Sequence, residues 1–320
     1  MIVLAETAGA HMGSPDRLAQ LIEAAAAAGA DAITFQTYRT EAFVNAGHRW
    51  FGATKEQEIP RDAWPELYAL ASGLFDLVYP CPLERESLDL YRALGCRRFK
   101  VHGTHLPNPT FLAAVAAAAD ELILETQAAT AEDVERALAH LAGFRGRIVL
   151  VHGYNDYPTP LDDQNLAALP FLRERFGLPV GFADHTLDSC GIPAMALALG
   201  AEVLEKHITL DRDAKLEEWE VSLNPDEFAA MMAHVRRLEP ALGRAAKEPS
   251  ERERAWRTVL LQKLFTARPV AEGEALAPDD ILFLRDAEGI TGEAWDTVVG
   301  ARARRPLAAG ERLLLEDLAA

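Results

Sequence analysis

The chain predicts an α/β fold, a (β/α)8 barrel followed by a small, mostly β domain. Short apolar runs alternate with Ala/Leu-rich helical stretches from the first residue to about Gly243. Eight strand-then-helix units over roughly 240 residues is the size of such a barrel. Beyond Gly243, Arg268-Pro269-Val270-Ala271-Glu272-Gly273-Glu274-Ala275-Leu276 recurs as Arg305-Pro306-Leu307-Ala308-Ala309-Gly310-Glu311-Arg312-Leu313. That repeat is too short for another βα unit and marks a separate domain. A doubly wound open sheet is the competing architecture. It seldom needs eight units, and its first turn is usually GxGxxG, whereas the first turn here is Thr7-Ala8-Gly9-Ala10-His11-Met12-Gly13.

Taken in order, strands are predicted over 2–6, 32–36, 76–80, 98–101, 122–126, 148–152, 180–183 and 203–207. Helices lie between them, for example over 17–28, 85–94, 131–141 and 166–176, with a last one over 225–238. The barrel is assigned to residues 1–243. Residues 244–258 are polar, charged and Ala-rich and read as a linker that can be helical. Residues 259–320 form the tail domain. Each repeat copy reads as a strand, a Gly-Glu turn and a short helical turn at Asp280-Ile281 or Asp317-Leu318. A unit of that size is marginal alone.

The stretch from Gly181 to Thr209 carries the most chemical information. Gly181-Phe182-Ala183 runs into Asp184-His185, an Ala/Leu-rich helix covers Cys190 to Leu199, and Val203-Leu204 runs into Glu205-Lys206-His207. Strand, helix, strand places the two strands side by side and parallel, with both histidines at their carboxyl ends. Imidazoles delivered from adjacent strand ends can share one divalent cation. The plainer alternative is that each histidine closes its strand by bonding a loop. The symmetry of the pair favours the metal.

The other strand ends supply further candidates. Glu6 suits a general acid/base or a partner for a substrate hydroxyl. Lys100 sits where a lumen lysine would, placed to hold an anion or form a Schiff base. Lys206 is expected to point away from the lumen by strand alternation. Asp184 is expected to orient the neighbouring imidazole or to act as the base. In His152-Gly153-Tyr154-Asn155-Asp156-Tyr157-Pro158-Thr159-Pro160, the prolines stiffen a loop that offers Asn155 and Tyr157 as polar contacts.

Composition excludes several functions. Of the 320 residues 49% are hydrophobic, ample for a core. A net charge of −17 argues against a nucleic-acid or anionic-membrane surface. Any anionic substrate would need local cations. The three cysteines, Cys81, Cys96 and Cys190, have no paired spacing and suggest neither disulfides nor a zinc knuckle. No signal peptide or membrane-spanning run is evident, so a cytoplasmic protein is expected.

These motifs resemble the sialic acid (N-acetylneuraminate) synthase family, which condenses phosphoenolpyruvate with an N-acylated amino sugar to make nonulosonic acids. Its members carry a (β/α)8 barrel and an antifreeze-like (SAF) domain. The resemblance spans the whole chain. It rests on Ala5-Glu6 with His11 and Gly13, Gly29 to Ala32 leading to Phe35-Gln36-Thr37, and Lys100. It continues through Asn155 with Tyr157 to Pro160, Gly181 to Leu187, Glu205-Lys206-His207, and Arg285 with Gly289-Ile290. The resemblance implies manganese (Mg2+, Zn2+ or Fe2+ as alternatives) held by His185 and His207, which activates the sugar's aldehyde. It implies that Glu6 contacts the reacting sugar and that Gln36, Lys100, Asn155 and Tyr157 line the pocket. It also implies a homodimer in which the tail domain caps the partner's barrel and Arg285 reaches the sugar in trans.

The chain departs from the family pattern where phosphate is bound. A lysine is replaced by Thr34, and small hydroxyl residues by Cys81, Gly103, Glu125 and Ala183. His105 stands for an acidic sugar-site residue, and Ala10 for an asparagine. A glutamate beside a phosphate is repulsive by roughly 4 kcal/mol per charge pair at about 4 Å and an effective dielectric of about 20. Phosphoenolpyruvate is therefore expected to bind far more weakly than in ordinary members, or to be replaced. Three functions stay open: a metal-dependent carbon–carbon condensing synthase, an aldolase or lyase acting on a non-phosphorylated oxo acid, and a non-catalytic sugar-binding barrel. In the second, Glu125 and His105 would bind an amine or hydroxyls.

Overall fold

The computed structural model describes residues 1–319. They form two compact units, Met1–Gly243 and a second from Arg244 onward. In the first, eight strands follow one another: β1 (Ile2–Glu6), β2 (Ala32–Thr37), β3 (Leu77–Pro82), β4 (Arg98–Val101), β5 (Glu121–Glu125), β6 (Arg147–His152), β7 (Val180–Asp184) and β8 (Val203–His207). They pair in the order β3-β2-β1-β8-β7-β6-β5-β4, every ladder parallel. β3 and β4 pack together at the seam and close the ring. A helix follows each strand: α1 (Pro15–Ala27), α2 (Trp64–Leu74), α3 (Arg85–Ala93), α4 (Pro109–Ala118), α5 (Ala131–His140), α6 (Ala168–Phe176), α7 (Gly191–Ala198) and α8 (Pro225–Leu238). The predicted barrel is the observed one, with strand ends displaced by a residue or two.

Local sequence starts the helices. Ser14 caps α1, Asn108 caps α4, and Thr130 with Asp133 forms a reciprocal capping box at α5. Gly13 lies at φ +73°, and a Cβ there would stand 2.4 Å from the Glu56 carbonyl oxygen. The loop after β1 can close on its neighbour only because this residue has no side chain.

The period of two along each strand sorts side chains between two cores. Val3, Ile33, Phe35, Phe99, Leu122, Phe182 and Leu204 face outward and pack under the helices. Leu4, Ala32, Tyr79, Ile123, Val149, Val151, Ala183 and Val203 fill the barrel interior. Continuing that alternation, Glu6, Thr34, Cys81, Lys100, Glu125 and Glu205 fall on the inward face toward the carboxyl ends. The same alternation turns Asp184 outward with its ladder partner Lys206.

In the second unit a helix, α9 (Glu251–Leu260), is started by the Ser250–Glu253 capping box and occupies part of the expected linker. Antiparallel β9 (Gln262–Thr266) and β10 (Ile281–Arg285) pair, as do β11 (Arg302–Ala303) and β12 (Leu318–Ala319). The two repeats meet about a pseudo-twofold: Val270 and Leu307 exchange backbone hydrogen bonds, 2.9 Å each way. Arg268 Nε donates to Asp280 at 2.6 Å, and Arg305 Nε to Asp317 at 2.7 Å. The strand expected in each copy shrinks to that one bridge, because Pro269 and Pro306 bring no N–H to a ladder. Leu264, Val270, Leu276, Val298, Leu307 and Leu313 make this unit's own core.

Candidate metal centre and active site

The inward layer at the top of the barrel is built from charge. Lys100 Nζ lies 2.5 Å from Glu6 Oε2, 2.7 Å from Glu125 Oε1 and 2.7 Å from Glu205 Oε2. All four side chains are at most 3% exposed. Glu6 is anchored further by the Ala8 N–H, 2.7 Å from Oε1. Glu125 Oε2 accepts from the Gly103 N–H at 3.2 Å, with His102 Nε2 at 3.8 Å. Three carboxylates share one ammonium, so carboxylate is in excess of cation in this layer. Burial alone would push Lys100 down, but the three carboxylates hold it well above the usual lysine range. Burial would raise Glu125, yet Lys100 and His102 keep it ionised, well below the usual carboxylate range. Glu205 is pushed up by burial and by its two carboxylate neighbours. The layer carries more negative charge than it can hold comfortably without another cation.

That cation has a place. His185, Glu205 and His207 each offer one ligand atom, and those atoms lie within 4.8 Å of one another. The His185 Nδ1–H donates to the Tyr154 carbonyl oxygen, which fixes the tautomer and leaves the Nε2 lone pair able to ligate. Burial, then the neighbouring His207, pushes His185 down to about 3, so it is the neutral ligand form at physiological pH. His207 Nδ1 stands 3.2 Å from Glu218 Oε2. Burial pushes His207 down, but that carboxylate prevails and raises it above the usual histidine range. A buried nitrogen–nitrogen–oxygen set beside an excess of carboxylate fits a divalent metal. The Tyr157 ring covers the pair, its centroid 4.4 Å from the His185 ring and 6.1 Å from the His207 ring.

The other expected residues are dispersed. Gln36 is half-buried at the end of β2, in register with Cys81. Asn155 is exposed and lines a cavity of about 400 Å³ with Gly103, Gln127, Arg136 and His140. His105 lines a different cavity, with Leu83 and Glu84, and its ring stacks on Phe111 at 4.0 Å. Arg285 is exposed at the end of β10.

Asp184 requires a correction. Expected as an imidazole-orienting or catalytic carboxylate, it is fully buried on the outward face of β7 and bound to Lys206 Nζ at 2.8 Å and Thr186 Oγ1 at 2.7 Å. Lys206 also donates to the Thr186 and Asp188 carbonyl oxygens. The alternation that sends Lys206 away from the lumen applies equally to the residue paired with it. Asp184 and Lys206 brace the turn that presents His185.

Two carboxylates join the site that were not assigned to the metal from sequence. Glu205 was legible, since it stands two residues before His207 and must share its face. Glu218 comes from the loop after β8 and gives no periodic signal. Its φ of +58°, uncommon for a side chain of this kind, marks a position held by its surroundings.

A family model described as the NeuB family matches residues 21–247, and one described as the SAF domain matches residues 264–319. An uncharacterised protein of Methanocaldococcus jannaschii is 30% identical over 99% of this chain and 94% of its own length. The N,N'-diacetyllegionaminic acid synthase of Legionella pneumophila is 28% identical over 99% and 94%. Among solved structures, spore coat polysaccharide biosynthesis protein E from Chromobacterium violaceum superposes with a TM-score of 0.87 at 25% identity, covering 100% of both chains. N-acetylneuraminic acid synthetase from Leptospira borgpetersenii superposes with a TM-score of 0.76 at 28% identity, covering 81% of this chain and 92% of its own.

Proposed function

Because the chain belongs to the NeuB family, we propose that it is a divalent-metal-dependent synthase that joins a three-carbon acid donor to the aldehyde carbon of an amino sugar or a related aldehyde. Its relatives include proteins named as synthases of legionaminic and pseudaminic acids, which makes a condensing transferase the enzyme class. The observation that carries the metal is the convergence of His185, Glu205 and His207 on one point, in a layer where three carboxylates share one ammonium. A cation there would supply Lewis acidity to the aldehyde oxygen. Glu6, fixed by Lys100 and the Ala8 N–H, would contact the reacting sugar, while Tyr157 shields the metal face. Gln36 and Asn155 would bind substrate hydroxyls at the rim. Manganese suits the donor set, as do Fe2+ and Zn2+.

A homodimer is part of this proposal, with Arg285 acting in trans on the sugar. The small core of the tail unit supports it, since association stabilises a marginal domain. Chelation followed by readdition of Mn2+, with product mass measured after incubation with three-carbon donors and N-acylated amino sugars, tests the reaction. Restored condensation is expected. Condensation that survives chelation, or that His207→Ala leaves intact, contradicts it.

A further inference from the structure

In the lumen, the atoms best able to hold an external anion already hold an internal one. An ammonium has three N–H donors, and Lys100 has three carboxylates within 2.7 Å. The Gly103 N–H at the turn after β4, a second anion donor, is taken by Glu125 Oε2, and the His102 imidazole stands beside the same oxygen. Glu125 is therefore seated in an anion pocket made of an ammonium, a backbone N–H and an imidazole. Lys206 is the other buried lysine near this end of the barrel, and it is committed to Asp184 on the outward face. What the layer leaves free is uncharged. Thr34 Oγ1 is fully buried without a partner, on the strand position in register with Glu6.

We propose that the donor of this condensation is a 2-oxo acid without a phosphate, and that Glu125 is the residue that specifies it. This inference rests on the metal-dependent condensing reading above and names its substrate class. A phosphorylated enol would bring about two negative charges on the phosphate in addition to its carboxylate, beside Glu125 and with the Lys100 ammonium and the Gly103 N–H already occupied. A 2-oxo acid brings one, and it can turn its carboxylate and oxo oxygens to the metal face and away from Glu125. The chemistry changes accordingly. Without an enol masked by phosphate, the carbon nucleophile has to be made by removing a proton next to the carbonyl, a step that needs carboxylate bases rather than phosphate-binding cations. The layer supplies Glu6 and Glu125, Glu205 being committed to the metal. The C3–H bond of the oxo acid breaks and its electron pair becomes the new carbon–carbon bond to the aldehyde carbon. The proton is carried by a lumen carboxylate and ends on the former aldehyde oxygen. No phosphate leaves and no water is consumed.

Calorimetry on the full chain loaded with Mn2+ tests the proposal, with pyruvate and phosphoenolpyruvate as probes. The wild type is expected to bind pyruvate at least tenfold more tightly than phosphoenolpyruvate. Glu125→Gln is expected to shift that ratio at least tenfold toward phosphoenolpyruvate. A second measurement needs no variant: Mn2+-dependent exchange of the pyruvate C3 protons for deuterium, followed by NMR, is expected in the wild type. Low-micromolar phosphoenolpyruvate binding tighter than pyruvate, a ratio that Glu125→Gln leaves in place, or absence of exchange each overturns it. Mn2+-dependent phosphate release from phosphoenolpyruvate with an amino sugar would overturn the donor assignment while leaving the condensing reading standing. Condensation or exchange indifferent to Mn2+ and to His207→Ala would remove that reading as well.

Discussion

At the residue scale, charge decides each role. In the proposed site His207 is a ligand whose orientation would depend on Glu218, 3.2 Å away. Replacing carboxylates that orient a ligand in this way typically costs about 10–100-fold in metal affinity. Glu218→Gln should weaken Mn2+ binding within that range, as measured by competition with a chromophoric chelator. An unchanged affinity would make Glu218 a bystander. Asp184→Asn should behave differently. It leaves Lys206 buried against a neutral amide, and breaking a buried ion pair commonly costs about 3–5 kcal/mol. Urea unfolding should show that loss of stability, with Mn2+ affinity of the surviving folded protein falling less than for Glu218→Gln. Stability close to wild type, with activity abolished, would return Asp184 to a catalytic role.

At the element scale, the period of two explains both what could be read from sequence and what could not. The barrel was legible because eight apolar runs alternate with amphipathic helices, and strand ends shift by only a residue or two between expectation and structure. His185 and His207 converge because β7 and β8 are adjacent and parallel, as the strand-helix-strand order requires. Glu125 and Lys100 were visible as strand-end residues. Their mutual ion pair was not, since β4 to β5 adjacency does not fix which side chains meet in a lumen. Asp184 follows the alternation of β7, of which it is the last residue, and pairs with Lys206, whereas His185 lies just past the strand end. Glu218 and the stacking of His105 on Phe111 depend on loop conformation, which carries no periodic signature. The tail's repeat was legible as a repeat, but its prolines redirected the pairing to β9 and β10. Leu307→Ala, in the pseudo-twofold core of that unit, should cost about 2–5 kcal/mol. Because the barrel has separate cores, calorimetry should show a transition of the tail unit moving to lower temperature while that of the barrel stays. A common shift of both would mean that the units unfold as one.

At the scale of the whole molecule, buried neutral histidines set the response to acid. Burial pushes His11 down to about 4 and His105 down to about 4, both below the ordinary value of 6.5. Unfolding lets each take up a proton more readily, so the stability they contribute is complete above about pH 6.5 and is lost as pH falls toward about 4. A shift of that size corresponds to about 3 kcal/mol for each group at most. Urea midpoints of metal-free protein should therefore fall between about pH 6.5 and 4, and His105→Phe should reduce the slope. A flat profile would mean that these rings are solvated in the native state. The net charge of −17 gives the molecule no general attraction for anions. No helix among the described residues is long and apolar enough to cross a membrane. Sedimentation at micromolar concentration should show the proposed dimer, and a monomer that retains activity would rule out Arg285 acting in trans.

On the proposed reading, the excess of carboxylate at the top of the barrel belongs with one divalent cation held by His185, Glu205 and His207. Titration of the metal-free chain with Mn2+, followed by electron paramagnetic resonance, tests it most directly. One tightly bound Mn2+ per chain is expected in the wild type, and none at the same concentrations in His207→Ala. Failure of the wild type to bind, or a site that the substitution leaves unchanged, would contradict the account.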